Sequence, residues 1–265
     1  MRITSLVDNI SCTECEAEHG LSLHVALDSG VKILFDTGQG ELFVRNANRL
    51  GIDISDIDIA VISHGHYDHG GGLNAFLREN IKAKVYIRES AFERHSSIKE
   101  YGLKDIGIDC EQKDRLVFCG ERESLPCGMT LFSNPRHSFP EPPGNSLLLG
   151  PDGNPDDFGH EQSMIIREGN NAVLFGGCAH RGIVNILSEA QALTGGAITH
   201  VLSGMHIGKG NPSKGYISSL ADELLSFPGV HYHTMHCTGE EGFRRLKERM
   251  GERIEHLSCG ESIEI

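Results

Sequence analysis

The sequence predicts an α/β domain in which two β-sheets pack face to face beneath outer helices. Three observations support this fold class. Strand-like segments open the chain, an apolar run at residues 57–63 is typical of a strand buried on both faces, and the last third alternates helical and strand-like segments. A chain of 265 residues, 38% of them hydrophobic, is long enough to fill the core of such a domain.

The first two thirds of the chain are predicted to be mainly β-structure. Residues 2–7, 21–27 and 31–35 are predicted strands, and the turn-type tripeptide Asp28-Ser29-Gly30 makes the second and third a hairpin. A helix is predicted around residues 40–50, before the strand at 57–63. The further predicted strands are 84–88, 115–118, 129–132, 163–167 and 172–175.

The last third of the chain has a regular alternation of elements. Its predicted helices are 183–192, 213–226 and 239–250, strands 198–202 and 230–234 lie between them, and short strands end the chain. No linker or compositional break is visible, which predicts a single domain over residues 1–265.

A proline-rich segment at residues 133–162 interrupts this pattern. It carries six prolines among glycines and aspartates, with a short apolar island at Leu147 to Leu149. Because loops of this length in a compact domain are usually functional or disordered, we interpret the segment as a candidate lid over the site.

The charge balance argues against a nucleic-acid partner. The formal net charge is −13, and no cluster of Lys or Arg is visible that would attract a phosphate backbone. The first residues lack a signal-peptide pattern, and no apolar stretch reaches the ~18–20 residues of a membrane span. We therefore expect a cytoplasmic protein with a small-molecule substrate and no membrane partner.

The eight cysteines are expected to be reduced thiols, because no export signal accompanies them. Cys12 and Cys15 form a CxxC pair, but a zinc knuckle needs a second pair and none follows. We expect these two cysteines to lie in a solvent-facing loop.

A dense group of ligand-type residues follows the strand at 57–63. Because residues two apart on an extended segment point the same way, His64 and His66 can share one metal ion. After a turn, Asp68 and His69 can reach a second ion. Three imidazoles and a carboxylate within six residues would desolvate or repel one another without a cation, so the sequence predicts a metal site.

These residues resemble the HxHxDH signature of the metallo-β-lactamase superfamily. The resemblance implies a four-layer αββα sandwich with a binuclear metal site. It also implies that the loop Asp36-Thr37-Gly38 supports the metal-binding loop without binding the ions, and that His160 is the third ligand of the first metal.

Two further positions are less sharply defined by the resemblance. Cys178 stands where most members of the superfamily have a bridging Asp, and as a thiolate it would favour zinc, while His180 could take its place as ligand. His236 resembles the C-terminal metal ligand, completing the second site. His206 follows another strand and is expected to contact the substrate or to support the ligands.

Six segments resemble a narrower branch of the superfamily, labelled dihydropterin synthase-like. These segments are residues 17–22, 35–39, 63–69, 159–162, 178–182 and 236–239. The resemblance implies that Glu18 and His19 line the pocket, and we expect Arg181, Lys209 and Lys214 near its rim, where they can receive a phosphate or carboxylate.

The metals are the chemical centre that the sequence predicts, because no nucleophile elbow or P-loop is present. We expect two divalent ions, Zn²⁺ first and Mn²⁺ or Fe as alternatives, that activate water against a small anionic ester or phosphate compound. Asp68 would orient the water, and His206 or His180 would stabilise the leaving group. The alternatives are a dihydropterin synthase-like group transferase and a di-iron redox protein.

Overall fold

The computed structural model describes residues 1–265, which form seventeen strands and six α-helices. The strands are β1 (Arg2–Val7), β2 (Ser22–Ala26), β3 (Lys32–Phe35), β4 (Ile59–Val61), β5 (Lys84–Ile87), β6 (Ser96–Lys99), β7 (Gly102–Asp105), β8 (Leu116–Phe118), β9 (Arg122–Leu125), β10 (Met129–Ser133), β11 (Leu148–Leu149), β12 (Gln162–Glu168), β13 (Asn171–Phe175), β14 (His200–Ser203), β15 (His231–Thr234), β16 (Ile254–His256) and β17 (Ser262–Glu264). The helices are α1 (Leu42–Arg49), α2 (Tyr67–Gly70), α3 (Leu73–Glu79), α4 (Ile183–Thr194), α5 (Lys214–Leu225) and α6 (Glu240–Met250).

Two seven-stranded sheets form the centre of the molecule. The first has the order β17-β1-β2-β3-β4-β5-β8, and the second has the order β16-β15-β14-β13-β12-β10-β9. Strands β3, β4, β5 and β8 run parallel in the first sheet, as do β13 to β16 in the second. A small third sheet has the order β11-β6-β7.

Apolar side chains fill the space between the two large sheets. Phe35 of β3 meets Phe175 of β13, with ring centroids 5.9 Å apart. The outer face of the first sheet packs against α1 and α3. The outer face of the second sheet packs against α4, α5 and α6. This arrangement of helices, sheet, sheet and helices confirms the predicted four-layer αββα sandwich.

The elements predicted from periodicity are present, with ends that shift by one to a few residues. The strand predicted at 57–63 is confined to Ile59–Val61, and the strand predicted at 198–202 begins at His200. The prediction missed the β6–β7 hairpin, β9 and the short helix α2, which begins within the HxHxDH motif, whereas α3 begins after the three glycines as predicted. None of the helices has the length and apolar character that a membrane crossing needs.

The predicted lid segment, residues 133–162, contains local structure. Pro143–Leu147 form a 3₁₀ turn, and β11 pairs antiparallel with β6. Leu148 and Phe158 are buried against Ile106, so this part of the segment is packed onto the body of the protein.

Candidate metal centre

The ligand-type side chains of the sequence converge at one edge of the sandwich. They lie in the loops that follow β4, β13 and β15, beside the loop after β3. Since parallel strands place their carboxyl ends at a common edge of a sheet, loops distant in sequence meet there.

Asp36 anchors the loop that carries the HxHxDH motif. Its backbone has φ 62°, and its buried carboxylate accepts hydrogen bonds from the Ser63 backbone N–H and the Ser63 hydroxyl, each 2.7 Å long. His69 Nδ1 lies 2.7 Å from the same carboxylate. Burial alone would lower the pKa of His69, but the charge and hydrogen bond of Asp36 outweigh it and raise that pKa to about 8. As predicted, Asp36 supports the metal-binding loop, because its carboxylate holds Ser63 at the start of the loop and His69 at its end.

The orientation of His69 brings three ligand atoms together. With Nδ1 held by Asp36, His69 Nε2 lies 3.2 Å from His236 Nε2 and 3.2 Å from Cys178 Sγ. The carboxylate of Asp68 lies 3.4 Å from His236 Nε2. Such a set of buried donors fits a divalent cation, because imidazole, carboxylate and thiol groups are its ordinary ligands.

A second group of imidazoles lies beside the first. The Nε2 atoms of His64, His66 and His180 are buried and have no hydrogen-bond partner. The ring centroids of these residues are 4.6 to 5.0 Å apart. Burial lowers the pKa of each imidazole, which keeps it neutral and able to bind a metal. The ligand atoms of His64 and His180 lie within 4.8 Å of one another, whereas His66 offers a ligand atom to a neighbouring group of His95, Asp156 and His160. Buried nitrogens without partners are what a bound cation would satisfy.

Cys178 belongs to both groups. Its sulfur lies within 4.8 Å of the ligand atoms of His64 and His180, and also within 4.8 Å of those of His69 and His236. Burial raises the pKa of the Cys178 thiol, so a thiolate at this position requires a neighbouring cation.

His160 lies beside His66, His95 and Asp156, and these four residues offer ligand atoms that all lie within 4.8 Å of one another. The Nδ1 atom of His160 accepts a 2.9 Å hydrogen bond from the Gly65 N–H, and its Nε2 lies 3.3 Å from the Asp156 carboxylate. Asp156 also contacts His95 Nδ1 at 3.0 Å. Both ring nitrogens of His160 therefore have protein partners, whereas His180 keeps Nε2 free.

A cavity of about 240 Å³ lies over these two groups. His19, Lys209 and His206 line it. Other lining residues include Asp68, Cys178, His180, His236, Lys99 and Lys104. The cavity thus joins the candidate metal ligands to solvent.

The family comparison agrees with this geometry. The sequence profile of the metallo-beta-lactamase superfamily matches residues 22–181, more than half of the chain. This chain belongs to the metallo-beta-lactamase superfamily. The matched region includes Asp36, the HxHxDH motif, His160, Cys178 and His180. As a superfamily member the chain is an enzyme, a hydrolase or a related synthase, and members of this superfamily typically bind metal ions.

Relatives that match nearly the whole chain are found in Methanocaldococcus jannaschii. An uncharacterized protein, MJ0448, is 28% identical over 93% of this chain and 94% of its own length. A 7,8-dihydropterin-6-methyl-4-(β-D-ribofuranosyl)-aminobenzene-5'-phosphate synthase is 26% identical over 93% of this chain and 90% of its own length. Among solved structures, Tm1679, described as a metal-dependent hydrolase of the β-lactamase superfamily, is 30% identical with a TM-score of 0.85. That alignment covers 100% of this chain and 99% of Tm1679.

Three residues that we expected in or near the pocket do not line the cavity. Glu18, Arg181 and Lys214 are not among the residues that line the cavity. The Glu18 carboxylate accepts a hydrogen bond from the Gln39 N–H, and the Arg181 guanidinium donates to the Asp157 carbonyl. The polar groups of Glu18 and Arg181 are therefore used within the surrounding loops.

Sequence reasoning missed the buried carboxylate of Glu161. It accepts hydrogen bonds from the N–H groups of His180 at 2.7 Å and Arg181 at 2.9 Å, and burial raises its pKa to about 7. Glu161 thereby fixes the turn that presents Cys178 and His180. Its position directly after His160, in the segment that resembles the superfamily's third motif, was the available signal.

The CxxC pair lies in a different environment from the one predicted. Cys12 is exposed, but Cys15 is buried and lies beside Cys259. The expectation of a solvent-facing loop was therefore wrong for Cys15, whose side chain is buried.

Proposed function

We propose that this protein is a metal-dependent hydrolase that acts on a small, anionic ester or phosphate-containing substrate. The observation that carries the proposal is the set of three buried imidazole Nε2 atoms without partners, next to a thiol shared with a second ligand group. A solvent-connected cavity directly above these groups supplies room for a substrate of modest size.

The proposed ligand sets differ in one position from those expected from the sequence. His64, His66 and His180 would hold the first divalent cation, and His180 takes the place predicted for His160. Asp68, His69 and His236 would hold the second, with Cys178 between the two. Imidazole and thiolate together favour zinc over harder ions, and Mn²⁺ or Fe remain the alternatives to test.

Hydrolysis requires a water oxygen to replace the leaving oxygen at carbon or phosphorus, while one proton moves to the leaving group. Bound divalent cations would lower the pKa of water in the site and polarise the substrate oxygen. Asp68, 3.1 Å from His19 Nε2, would orient the water, and the proton that the water loses would pass to His19 and on to solvent. Solvent would return one proton to the leaving oxygen, so that the reaction balances. His206, whose Nδ1 is buried without a partner and whose ring lies 4.2 Å from that of His180, contacts the leaving group.

Group transfer at the same site is the second candidate function. The relative named as a dihydropterin synthase covers 93% of this chain, which favours a reaction in which an acceptor replaces water. In that case the cavity would hold two organic reactants.

Metal analysis followed by turnover assays separates these functions. The purified protein, loaded with zinc or manganese, is incubated with phosphodiesters, lactones and a dihydropterin diphosphate, each with and without an aminobenzene acceptor. Hydrolysis without acceptor supports the proposal, whereas turnover that depends on the acceptor rejects it in favour of the synthase.

A variant of the metal loop tests the ligand assignment separately. His66→Ala is expected to lose one metal equivalent and nearly all turnover. His137→Ala is a matched control, because His137 is half exposed and its contact is the Glu141 carboxylate. Full metal content in the His66 variant would contradict the assignment.

A further inference from the structure

The rim of the cavity has a charge opposite to that of the whole protein. The chain has 37 acidic and 24 basic residues. Among the cavity-lining residues, however, Asp68 is the one acid, and it belongs to the proposed metal ligands, whereas three lysines are present: Lys99, Lys104 and Lys209. The entrance to the cavity is therefore positively charged although the protein as a whole is acidic.

The β6–β7 hairpin places two of these lysines on one face. Ser97 and Lys99 are two residues apart on β6, and Lys104 of β7 is the cross-strand partner of Ser97. Side chains with this spacing share a face of the hairpin, and all three residues line the cavity. The apolar side chains of Ile98 and Leu103 lie between them in sequence and are partly exposed on the other face.

The hairpin is attached directly to the metal loop. The Tyr67 N–H donates a 2.8 Å hydrogen bond to the Ile106 carbonyl at the end of the hairpin. The Lys104 ammonium lies 4.3 Å from the centre of the Tyr67 ring. Because Tyr67 stands between His66 and Asp68, this contact fixes the lysine face relative to the candidate metal ligands.

Lys209 approaches from the opposite sheet. It lies in the loop after β14, and its ammonium is 3.5 Å from His19 Nε2. His19 in turn lies 3.1 Å from the Asp68 carboxylate. One imidazole therefore separates Lys209 from the proposed second metal position.

None of the three ammonium groups has a carboxylate within ion-pair distance. Lys32 and Lys82, by contrast, pair with Asp56 at 2.9 Å and with Asp58 at 3.1 Å. Burial, together with the charges of Lys209 and Lys104, lowers the pKa of Lys99, so the three cations repel one another. An anion placed between them would remove this repulsion.

We propose that Lys99, Lys104 and Lys209 form a subsite for a phosphate-type dianion, which holds a phosphate group of the substrate at the rim while the bond to be cleaved lies over the metals. The inference rests on the proposed function, because it assigns the substrate class of the same site. Lysine is a compact point charge with rotatable donors, and three of them suit the three terminal oxygens of a phosphate monoester. No arginine lines the cavity, so the rim offers the rotatable point charges of lysine and no planar guanidinium fork.

Binding measurements test the subsite without requiring turnover. Phenylphosphonate and inorganic phosphate are titrated into the zinc-loaded protein by calorimetry, with the dicarboxylate phthalate as comparison. Lys104→Gln and Lys99→Gln are each expected to weaken phenylphosphonate binding about tenfold, the usual effect of one charge-assisted hydrogen bond. The triple variant, with Lys209→Gln added, is expected to weaken it at least about a hundredfold with zinc content unchanged. Lys84→Gln, at the exposed first residue of β5, is the matched control and should bind like the wild type.

Any of three results would overturn the inference. The first is an unchanged phenylphosphonate affinity in the triple variant, and the second is tighter binding of phthalate than of phenylphosphonate. The third is a Lys104→Arg variant that binds phenylphosphonate as weakly as Lys104→Gln does. The subsite and the proposed hydrolysis fail in different ways. Lysine-dependent binding with no hydrolysis of any ester would contradict the proposed function alone. Hydrolysis of phosphate-bearing esters by the triple variant with wild-type kcat/KM would contradict the subsite alone.

Discussion

Replacing Asp36 with asparagine should weaken metal binding although Asp36 touches no metal ligand atom that faces the cavity. Asparagine tolerates the positive φ of this position, so the backbone is preserved. The carboxylate receives three hydrogen bonds from Ser63 and His69, and an amide can accept on one side only. If the amide nitrogen faces His69, Nδ1 must give up its proton, and Nε2 takes the proton and ceases to be a ligand.

The magnitude follows from the role of such supporting carboxylates. Loss of the partner that orients a metal-binding histidine typically costs 10–100-fold in metal affinity, or about 1.4–2.7 kcal/mol. The buried donor left without an acceptor costs a further ~1–3 kcal/mol of folding free energy. Zinc affinity of Asp36→Asn is measured by competition with a chromophoric chelator, and unfolding by urea. Asp58→Asn is the control, because that carboxylate serves Lys32 and Lys82 at the surface. Wild-type zinc affinity in Asp36→Asn would refute the reasoning.

Three further outcomes are expected. His180→Ala should lose about one metal equivalent by elemental analysis while Cys178→Ala weakens both, and the reverse pattern would show that the thiol belongs to one site. Cys12→Ser, at an exposed position, should leave metal content and activity intact, so a loss of either would reveal a role for that thiol. His24, whose pKa burial lowers to about 4, stays neutral in the fold while the unfolded chain takes up a proton near pH 6.5. The free energy of unfolding should therefore fall as pH drops from about 6.5 to about 4, by at most ~1.4 kcal/mol per pH unit. His24→Leu should reduce this slope in urea titrations at pH 7 and pH 5, and an unchanged slope would count against the buried-histidine explanation.

The fold could be predicted because its core follows simple periodicities. The helices of the last third carry apolar stripes that meet one sheet, and the run around Ala60 and Val61 is buried on both faces. The β6–β7 hairpin could not be found in this way. All four residues of β7 are exposed, so the segment lacks the apolar alternation that identifies a half-buried strand.

The candidate site could be predicted where its ligands are adjacent in sequence. It was harder to predict where the role of a residue depends on contacts that form only in the folded protein. The HxHxDH motif by itself indicates a metal loop. The choice between His160 and His180 depends on which ring nitrogens the fold has already engaged, and Gly65 and Asp156 do this only after folding. Lys99 was missed for a similar reason, because a hairpin outside the metal loops brings it to the cavity.

The separation of the hairpin from the ion-holding loops has a consequence for divergence among relatives. The candidate metal ligands come from loops at one edge of the two large sheets, whereas Lys99 and Lys104 belong to the β6–β7 hairpin of the small third sheet. If these lysines form the proposed subsite, exchanging residues of the hairpin while keeping the Ile106 carbonyl that holds Tyr67 would change which compounds bind and leave the candidate metal ligands in place. Proteins that share the motifs of this chain could for that reason differ in their substrates, and we expect such a difference to lie in residues 96–105.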